Sequence, residues 1–395
     1  MLMPEGFESL PVALITGYLG AGKTTLLNHI LEDPKGHKVA VIVNDIGEVN
    51  IDAGLIEKGG TVQQVDDSLV PLSNGCICCT LKNDLIDQLV NLAKMDRFDY
   101  IIIEASGICE PIPIAQTITM MEETAATRGI PEVCHLDNLI SVVDANRLAY
   151  EFDCGLDFVE NKDQYEEEED IRSLLIQQME FANIIVLNKV ELVNEEQKAQ
   201  IKAMILALNP GAKIIEASYG KVDVNEMLDT HNFNFEDAYY NEGWVKAMQD
   251  EDDDDEHKHH HHDEGELLEY GIETFVYTSR KPFMMDALER YTQEWPDSII
   301  RAKGYLWYNV DPNYLYVFEQ AGNQVSTGRD SMWIAACEPE IQQREFERDP
   351  SLKDIWDEKY GDRENKIVFI GKDMDKQAII DAMNACLTDE FDEQQ

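Results

Sequence analysis

A glycine-rich stretch near the N-terminus constrains the fold more than any other feature of the chain. Residues 17–24 read GYLGAGKT, which matches the G-x-x-x-x-G-K-[ST] pattern of a phosphate-binding loop. An apolar run precedes this stretch and a helical pattern follows it, as the motif requires. Backbone N–H groups of such a loop converge on phosphate oxygens, and the helix N-terminus adds a favourable dipole. The pattern predicts a nucleotide site, with these candidate binding residues: Gly17, Gly20, Ala21, Gly22, Lys23, Thr24 and Thr25.

Two segments carry the residues that we expect to act on the phosphates. Lys23 can reach the β- and γ-phosphates, and the Thr24 hydroxyl can ligate Mg²⁺. Residues 101–107, IIIEASG, read as a strand that ends in an acid and resemble a Walker B segment. Glu104 is then placed to orient Mg²⁺ or its water, and Gly107 can offer a backbone N–H to the γ-phosphate. We predict Lys23, Glu104 and Gly107 as the catalytic residues.

A third segment predicts the choice of base. Asn188, Lys189 and Glu191 lie in the sequence NKVE, which resembles the guanine-reading motif N-K-x-D. The carboxylate of that motif takes two N–H donors of guanine that adenine cannot supply. Glu191 keeps the carboxylate but adds a methylene, so its reach is altered and the strictness of guanine selection stays open. Residues 217–220, ASYG, are placed to flank the base, and the prediction is GTP over ATP.

Three cysteines crowd into residues 76–79, CICC, between the phosphate loop and Glu104. Thiolates favour Zn²⁺, Cu(I) and Co²⁺, so Cys76, Cys78 and Cys79 are candidate metal ligands. Zinc takes four ligands, and Glu48 in the segment NDIGE is a candidate for a further one. Buried packing is the alternative for the cysteines. The other five cysteines are interpreted as core or incidental, with Cys134-His135 as a minor ligand candidate: Cys109, Cys134, Cys154, Cys337 and Cys386.

A second metal candidate lies in residues 250–263, which read DEDDDDEHKHHHHD. Imidazoles and carboxylates in such a stretch can hold divalent ions loosely, as a weak reservoir. A solvated low-complexity linker is the alternative. The candidate reservoir ligands are His257, His259, His260, His261 and His262.

Charge limits the partners. The chain has 78 acidic and 32 basic side chains and a formal net charge of −46. Such a surface repels phosphate backbones and anionic lipids, which argues against nucleic acid and membrane as partners. The sequence has no apolar run of about 20 residues. The first ten residues carry Glu5 and Glu8 and no basic region, so we expect a cytoplasmic protein.

Strand and helix patterns alternate along the first half of the chain, which is typical of a parallel α/β sheet. We predict a P-loop NTPase parallel sheet flanked by helices, plus a smaller C-terminal α+β domain. The predicted domains are residues 1–235 for the P-loop domain, 236–269 for an acidic, histidine-rich flexible linker and 270–390 for the C-terminal domain. In the C-terminal domain we expect strands at 271–278, 302–307, 314–320 and 367–371, and helices at 282–294 and 376–387.

These motifs together resemble the CobW-like metal-handling GTPases, relatives of the HypB, UreG and MeaB proteins. The segments that carry the resemblance follow one another in the family's order: ITGYLGAGKTT, NDIGE, NGCICC, IEASG, VVDA, KGYLW and GR. The resemblance implies a switch dependent on Mg²⁺ and GTP that loads a metal at the C-x-C-C motif. After hydrolysis to GDP and phosphate it would release the metal to a client metalloprotein. The resemblance implies that the metal is zinc most often, with cobalt in a minority.

The sequence therefore predicts a GTPase that acts as a metallochaperone or insertase, with zinc as the predicted metal. A passive store of zinc or other divalent metal with incidental nucleotide binding is the main alternative, and a P-loop kinase acting on a small molecule is a second. The sequence is compatible with a homo-oligomer and does not identify the client.

Overall fold

The computed structural model describes residues 7–43, 69–71, 82–129, 131–152, 171–235, 270–322 and 324–391. The chain divides into two compact units, one of Met1–Glu168 and Leu174–Glu242 and the other of Glu169–Ser173 and Gly243–Gln395. Residues 236–269 lie outside the described part, so the predicted linker stays a prediction. No helix in the described ranges is long and apolar enough to cross a membrane.

The first unit contains a seven-stranded parallel sheet with strand order β3-β2-β4-β1-β5-β6-β7. Every residue of β2, β4 and β6 is buried, which requires cover on both faces of the sheet. The strands are β1 Leu10–Thr16, β2 Val39–Val43, β3 Leu69–Pro71, β4 Tyr100–Glu104, β5 Cys134–Asp144, β6 Ile184–Asn188 and β7 Lys213–Ala217. The helices among them are α1 Lys23–Glu32, α2 Lys82–Lys94, α3 Ile112–Arg128, α4 Ala145–Glu151, α5 Ile171–Glu180 and α6 Glu195–Leu208.

The helix that follows the phosphate loop is fixed to the sheet by one apolar face. Leu26, Leu27 and Ile30 of α1 are fully buried and join the core formed with β1, β2 and β4. Burial of each such side chain contributes about 1.5–3 kcal/mol relative to exposure. The start of α1, and with it the phosphate loop, is thereby held at the carboxyl end of β1, near the middle of the sheet. Crevices at this edge of open α/β sheets are where ligands bind.

The second unit contains a five-stranded antiparallel sheet with strand order β11-β10-β9-β12-β8. Its core is aromatic, with Phe275 and Phe369 stacked at 4.9 Å between ring centroids and Trp307 fully buried. The strands are β8 Ile272–Ser279, β9 Ile299–Trp307, β10 Tyr314–Ala321, β11 Gln324–Met332 and β12 Asn365–Lys372. The helices are α7 Met285–Thr292, α8 Pro339–Arg348 and α9 Lys376–Ala385.

The predicted fold class, a parallel α/β sheet plus a smaller α+β domain, is confirmed. Two predicted C-terminal helices were too long, and two β-bridges account for the start of the first and the end of the second. Phe283 forms isolated β-bridges with Tyr308 and with Leu387. This pairing keeps residues 282–284 out of α7 and Leu387 out of α9. Backbone pairing with a neighbouring strand thus prevails over a helical pattern at these ends.

Candidate nucleotide site

The glycines of the phosphate loop are required by close backbone approach. Gly17 has φ 138°, and a Cβ there would lie 2.1 Å from the carbonyl oxygen of Val142 on β5. Gly22 has φ 108°, and a Cβ there would lie 2.3 Å from the side-chain nitrogen of Asn188 on β6. Any larger residue would push the loop away from the two strands and would be strained at these φ values.

The ammonium group of Lys23 lies inside the curve of this loop. Its Nζ donates hydrogen bonds to the carbonyl oxygens of Gly17, at 2.8 Å, and Tyr18, at 3.3 Å. The residue is only 8% exposed. A cation held among backbone groups at a helix N-terminus is suited to a phosphate, because both the charge and the dipole favour an anion.

Thr24 and Glu104 meet although 80 positions separate them in the sequence. The Thr24 hydroxyl donates a hydrogen bond of 2.9 Å to Oε1 of Glu104. Glu104 is 1% exposed and ends β4, in register with Ile15 of β1. Hydroxyl and carboxylate oxygens are the hard ligands that Mg²⁺ prefers, so this donor set fits the predicted ion. The pair lies at the start of α1, beside the phosphate loop.

Gly107 lies in the turn that follows β4, residues 105–109, which we call the post-β4 turn. A Cβ on Gly107 would lie 2.7 Å from the backbone nitrogen and 2.7 Å from Cδ2 of Leu19 in the phosphate loop. The turn therefore packs directly on the phosphate loop. Sequence reasoning missed the side chain on its other side: Gln178 of α5, whose Nε2 donates to the carbonyl oxygens of Gly107 and Cys109.

Asn188 joins the phosphate loop to the loop after β7. Its Nδ2 donates to the carbonyl oxygen of Ala21 at 2.9 Å, and its Oδ1 accepts from the backbone N–H of Gly220 at 3.0 Å. The residue is buried. The structure thus brings the predicted base-reading segment, the phosphate loop and residues 217–220 together at one point.

Lys189 and Glu191, the other two candidate residues of the NKVE segment, lie just before and within the short 3₁₀ turn Val190–Leu192. Lys189 has φ 60°, and its Nζ forms an ion pair of 2.5 Å with Asp144 at the end of β5. Asp144 also caps α4 by accepting from the backbone N–H groups of Asn146 and Arg147. Glu191 is exposed in the following 3₁₀ turn. Asp144 belongs to the VVDA segment, and this motif was the sequence signal that could have marked it as part of the site.

The predicted transition-metal ligands lie outside the described residues. These are Glu48, Cys76, Cys78, Cys79, His257, His259, His260, His261 and His262. Within the part of the chain that the structure describes, no group of three His, Cys, Asp or Glu side chains could hold a metal ion. Cys134 is buried, and burial raises the pKa of its thiol to about 12. The thiol is enclosed in the core and belongs to no such group among the described residues, which disfavours Cys134-His135 as a ligand pair.

The fold and this site define the class of protein: a P-loop nucleotide-binding protein with an antiparallel C-terminal domain. Residues 11–216 match the family described as CobW/HypB/UreG, nucleotide-binding domain, and residues 272–387 match the Cobalamin synthesis protein cobW C-terminal domain. The chain belongs to the CobW/HypB/UreG family.

Named relatives cover most of the chain. It is 36% identical over 398 residues to the "Zinc-regulated GTPase metalloprotein activator 1" of Dictyostelium discoideum. The alignment covers 97% of this chain and 81% of that protein. It is 29% identical over 333 residues to the "Zinc chaperone YjiA" of Escherichia coli (strain K12), covering 82% of this chain and 90% of that protein. A crystal structure of Zn(II)-bound YjiA GTPase from E. coli is 23% identical, with a TM-score of 0.42 and coverage of 96% and 100%.

Proposed function

We propose that this chain is a metallochaperone dependent on Mg²⁺ and GTP that carries zinc at the C-x-C-C motif of residues 76–79. It hydrolyses GTP to GDP and phosphate and delivers the zinc to a client metalloprotein. The GTPase activity is that of the named relatives, and two of those relatives are named for zinc. Thiolate ligands fit zinc, with Co²⁺ as a second candidate cargo.

One row of residues across the sheet carries the proposal. Pro71 ends β3 and is the Cα partner of Val43, which ends β2; Val43 is in turn the Cα partner of Glu104. Glu48 and Cys76 follow Val43 and Pro71 by five positions each. An extended chain spans at most about 3.6 Å per residue, so each candidate ligand lies within about 18 Å of its strand end. Neighbouring strands are only about 4.8 Å apart.

The segment that leads to Glu48 therefore begins one strand away from Glu104, and the segment that leads to Cys76 begins two strands away. A displacement at the γ-phosphate end of the nucleotide reaches the strand ends from which Glu48 and Cys76 are tethered. Metal affinity and nucleotide affinity are then linked, and the linkage is reciprocal. A coupling of about 1–3 kcal/mol changes metal affinity roughly 5- to 150-fold.

Different residues of the described part of the chain act on different parts of the nucleotide. Lys23 binds the β- and γ-phosphates, and Gly107 offers a backbone N–H to the γ-phosphate. Thr24 and Glu104 would hold Mg²⁺, which neutralises charge on the phosphate oxygens when bound. Water attacks the γ-phosphorus, the bond to the bridging oxygen breaks, and GDP leaves with that electron pair. Loss of the γ-phosphate loosens the thiolate loop, so the zinc can pass to the client.

The guanine base is recognised on the side of the phosphate loop that faces away from the γ-phosphate. Asn188 supports the loop, Lys189 is fixed by Asp144, and Glu191 presents a carboxylate to the N–H donors of guanine. A purine whose edge lacks these donors loses the charge-assisted hydrogen bonds.

The test is the Zn²⁺ affinity of the full chain, measured by competition with a chromophoric chelator. It is measured once with Mg²⁺ and a non-hydrolysable GTP analogue and once with Mg²⁺ and GDP. We expect one zinc ion to bind about tenfold more tightly or better in the first state, a difference of about 1.4 kcal/mol. Cys78→Ala should abolish this tight site and leave GTP binding intact, whereas the control Cys337→Ala should change neither.

Equal affinities in the two nucleotide states would contradict the chaperone and favour a passive store. Deletion of residues 250–263 is a second experiment that distinguishes the chaperone from the passive store. A store would lose most of its zinc capacity, whereas a chaperone keeps its one tight site. Loss of GTP binding in Cys78→Ala would indicate that the cysteines are structural.

A further inference from the structure

A glutamine in the apolar interior of the first unit contacts the post-β4 turn. Gln178 lies on α5 and is fully buried. Its Nε2 lies 3.3 Å from the carbonyl oxygen of Gly107 and 3.3 Å from that of Cys109, which are 71 and 69 positions away in the sequence. Both distances are at the long end of the range for N–H···O bonds. One side chain thus contacts two backbone groups of the turn that contains Gly107.

The two acceptors determine how the amide of Gln178 is oriented. Carbonyl oxygens only accept, so the NH₂ group faces the turn and Oε1 faces away. Among the residues that the structure describes, this buried Oε1 has no hydrogen-bond partner. A buried acceptor in that condition lowers stability, and an apolar residue of similar size would avoid this cost. A polar side chain that costs stability in a core indicates a role other than packing.

The turn is held at three places. The backbone N–H of Ala105 donates to the carbonyl oxygen of Ile15 on β1, at 2.9 Å. Gly107 packs on Leu19 of the phosphate loop, and this contact leaves no room for a Cβ. Gln178 holds the carbonyl oxygens of Gly107 and Cys109. The glycine that the Leu19 contact requires is also the residue with the greatest backbone freedom, so the turn needs an external restraint.

We propose that Gln178 is a positioning residue for GTP hydrolysis. Because a peptide group is planar, holding the Gly107 carbonyl fixes the following N–H, which belongs to Ile108, in the opposite direction. The N–H of Gly107 itself belongs to the preceding peptide group, which is restrained from both ends because Ala105 is held on β1 and the Gly107 carbonyl is held by Gln178. The inference rests on the proposed contact between Gly107 and the γ-phosphate. Since GDP has no γ-phosphate, Gln178 acts on the triphosphate state and on the hydrolytic step.

The first variant is Gln178→Met, which keeps the length of the side chain and removes its N–H donors. We expect kcat for GTP hydrolysis to fall about tenfold or more, which corresponds to about 1.4 kcal/mol. Affinity for the non-hydrolysable analogue should fall with it, and affinity for Mg²⁺-GDP should stay within about twofold. A merely structural role would weaken both nucleotides equally.

Asn209, the C-terminal cap residue of α6, offers a matched control because its side chain holds the end of α5. Its Nδ2 donates to the carbonyl oxygens of Met179, Glu180 and Ala182, at 2.9, 2.9 and 2.8 Å. Asn209→Leu therefore removes buried amide–carbonyl bonds from the end of α5 without touching the post-β4 turn. We expect this variant to lower the thermal unfolding temperature and to leave kcat and the ratio of the two nucleotide affinities unchanged.

The variant Gln178→Glu adds a second test, the pH dependence of kcat, which does not depend on comparing the stabilities of different variants. A protonated carboxyl can donate one hydrogen bond to the turn and a carboxylate can donate none, so kcat of this variant should rise relative to the wild type as pH falls. Gln178→Met should show a constant ratio to the wild type over the same pH range. The carboxyl titrates in a usable range because burial raises the pKa of an acid.

Two results would overturn the inference: a Gln178→Met chain with wild-type kcat and affinity ratio, or an Asn209→Leu chain with the same defect as Gln178→Met. A wild-type chain that binds GTP and does not hydrolyse it would instead overturn the proposed function. The ratio of analogue affinity to GDP affinity would still test Gln178 in that case. If Gln178→Met does not fold, the pH profile of Gln178→Glu decides.

Discussion

Glu191 is the residue on which the choice of base depends in the proposed site. Its neighbour Lys189 is in the left-handed region at φ 60° and is tied to Asp144, so the turn that presents Glu191 is anchored. The Glu191 side chain itself is exposed. The side chain of Glu191 is one methylene longer than the aspartate of the N-K-x-D motif. Its carboxylate can still accept from two N–H donors of guanine if the anchored turn lies farther from the base by the length of that methylene.

We predict that Glu191→Ala erases the preference for GDP over inosine diphosphate, which lacks the exocyclic amine. Hydrogen bonds to a charged group contribute about 1.5–3 kcal/mol, so the wild type should prefer GDP by roughly 10-fold or more. The measurement is the affinity for each diphosphate. Glu195→Ala, an exposed acid on α6 with the same charge change, should keep the preference. A Glu191→Ala chain that still prefers GDP would show that other groups read the base.

Glu122 on α3 is a residue at which stability should depend on pH. It is partly buried and accepts a hydrogen bond of 2.9 Å from the backbone N–H of Leu136. Burial raises its pKa to about 7, and the carboxylates of Glu132 and Glu123 add to the shift. A carboxyl whose pKa is raised by folding stabilises the protein fully below the unfolded pKa, near 4.5. This contribution is lost as pH rises from there to about 7.

Glu122→Gln should therefore be more stable than the wild type at pH 8, with an advantage that shrinks steadily towards pH 4.5. The glutamine keeps an oxygen for the Leu136 N–H and carries no charge to desolvate. The measurement is denaturant unfolding by circular dichroism across this pH range. The exposed Glu110→Gln supplies the same charge change as a control. An advantage of Glu122→Gln that is the same at every pH would contradict the raised pKa.

At the scale of elements, the carboxyl end of β6 connects the phosphate loop to the base site. Asn188 accepts from Gly220 after β7 and donates to Ala21 before α1, so three elements meet at one buried amide. Asn188→Ala leaves a backbone carbonyl and a backbone N–H without their partner, at about 1–3 kcal/mol each. Because this support lies away from the γ-phosphate, we predict an equal loss of affinity for GDP and for the GTP analogue.

Asn183, at the other end of β6, is the matched control for Asn188. It accepts from the backbone N–H of Leu139 and donates to Asn138, on the amino side of the sheet. Asn183→Ala should lower stability and leave both nucleotide affinities in place. A selective loss of the GTP analogue in Asn188→Ala would contradict the division of roles, in which Gln178 senses the γ-phosphate and Asn188 does not.

Elements that bury apolar runs were predictable from the sequence, and those that depend on tertiary pairing were not. The apolar run before Glu104 predicted a strand that ends in this acid, and β4 ends there. Strand β11 is polar and exposed along nearly all its length, so no apolar pattern marked it; its partner β10 defines it. Strand β3 has three residues and is defined by its pairing with β2.

The phosphate site shows the same limit. Its glycines, Lys23, Thr24 and Glu104 stand in recognisable motifs, and the structure brings the last two into contact. Gln178 stands in no motif, and a glutamine on an amphipathic helix is ordinarily expected on the solvent side. Only the packing of α5 against the post-β4 turn reveals that its amide faces two backbone carbonyls.

At the scale of the whole molecule, zinc can be bound in two ways: by the negative charge of the surface and by the proposed thiolate site. A formal charge of −46 concentrates divalent cations over the entire surface, without a defined site. This attraction is screened by salt, because the Debye length falls from about 10 Å at 0.1 M to about 3 Å at 1 M. A site in which thiolates contact the ion directly depends far less on screening, since its bonds are short.

We predict that raising sodium nitrate from about 0.1 M to about 1 M removes most weakly bound zinc and leaves one tight, nucleotide-linked ion per chain. The measurement is the zinc binding isotherm at both salt concentrations, with Mg²⁺ and the GTP analogue present. Cys78→Ala should lose the salt-resistant part and keep the salt-sensitive part, whereas deletion of residues 250–263 should keep the salt-resistant part and remove only a share of the salt-sensitive part. If the tight ion also disappears at high salt, zinc is held by the field of the acidic surface. A chaperone could not then deliver it by a change at the thiolates.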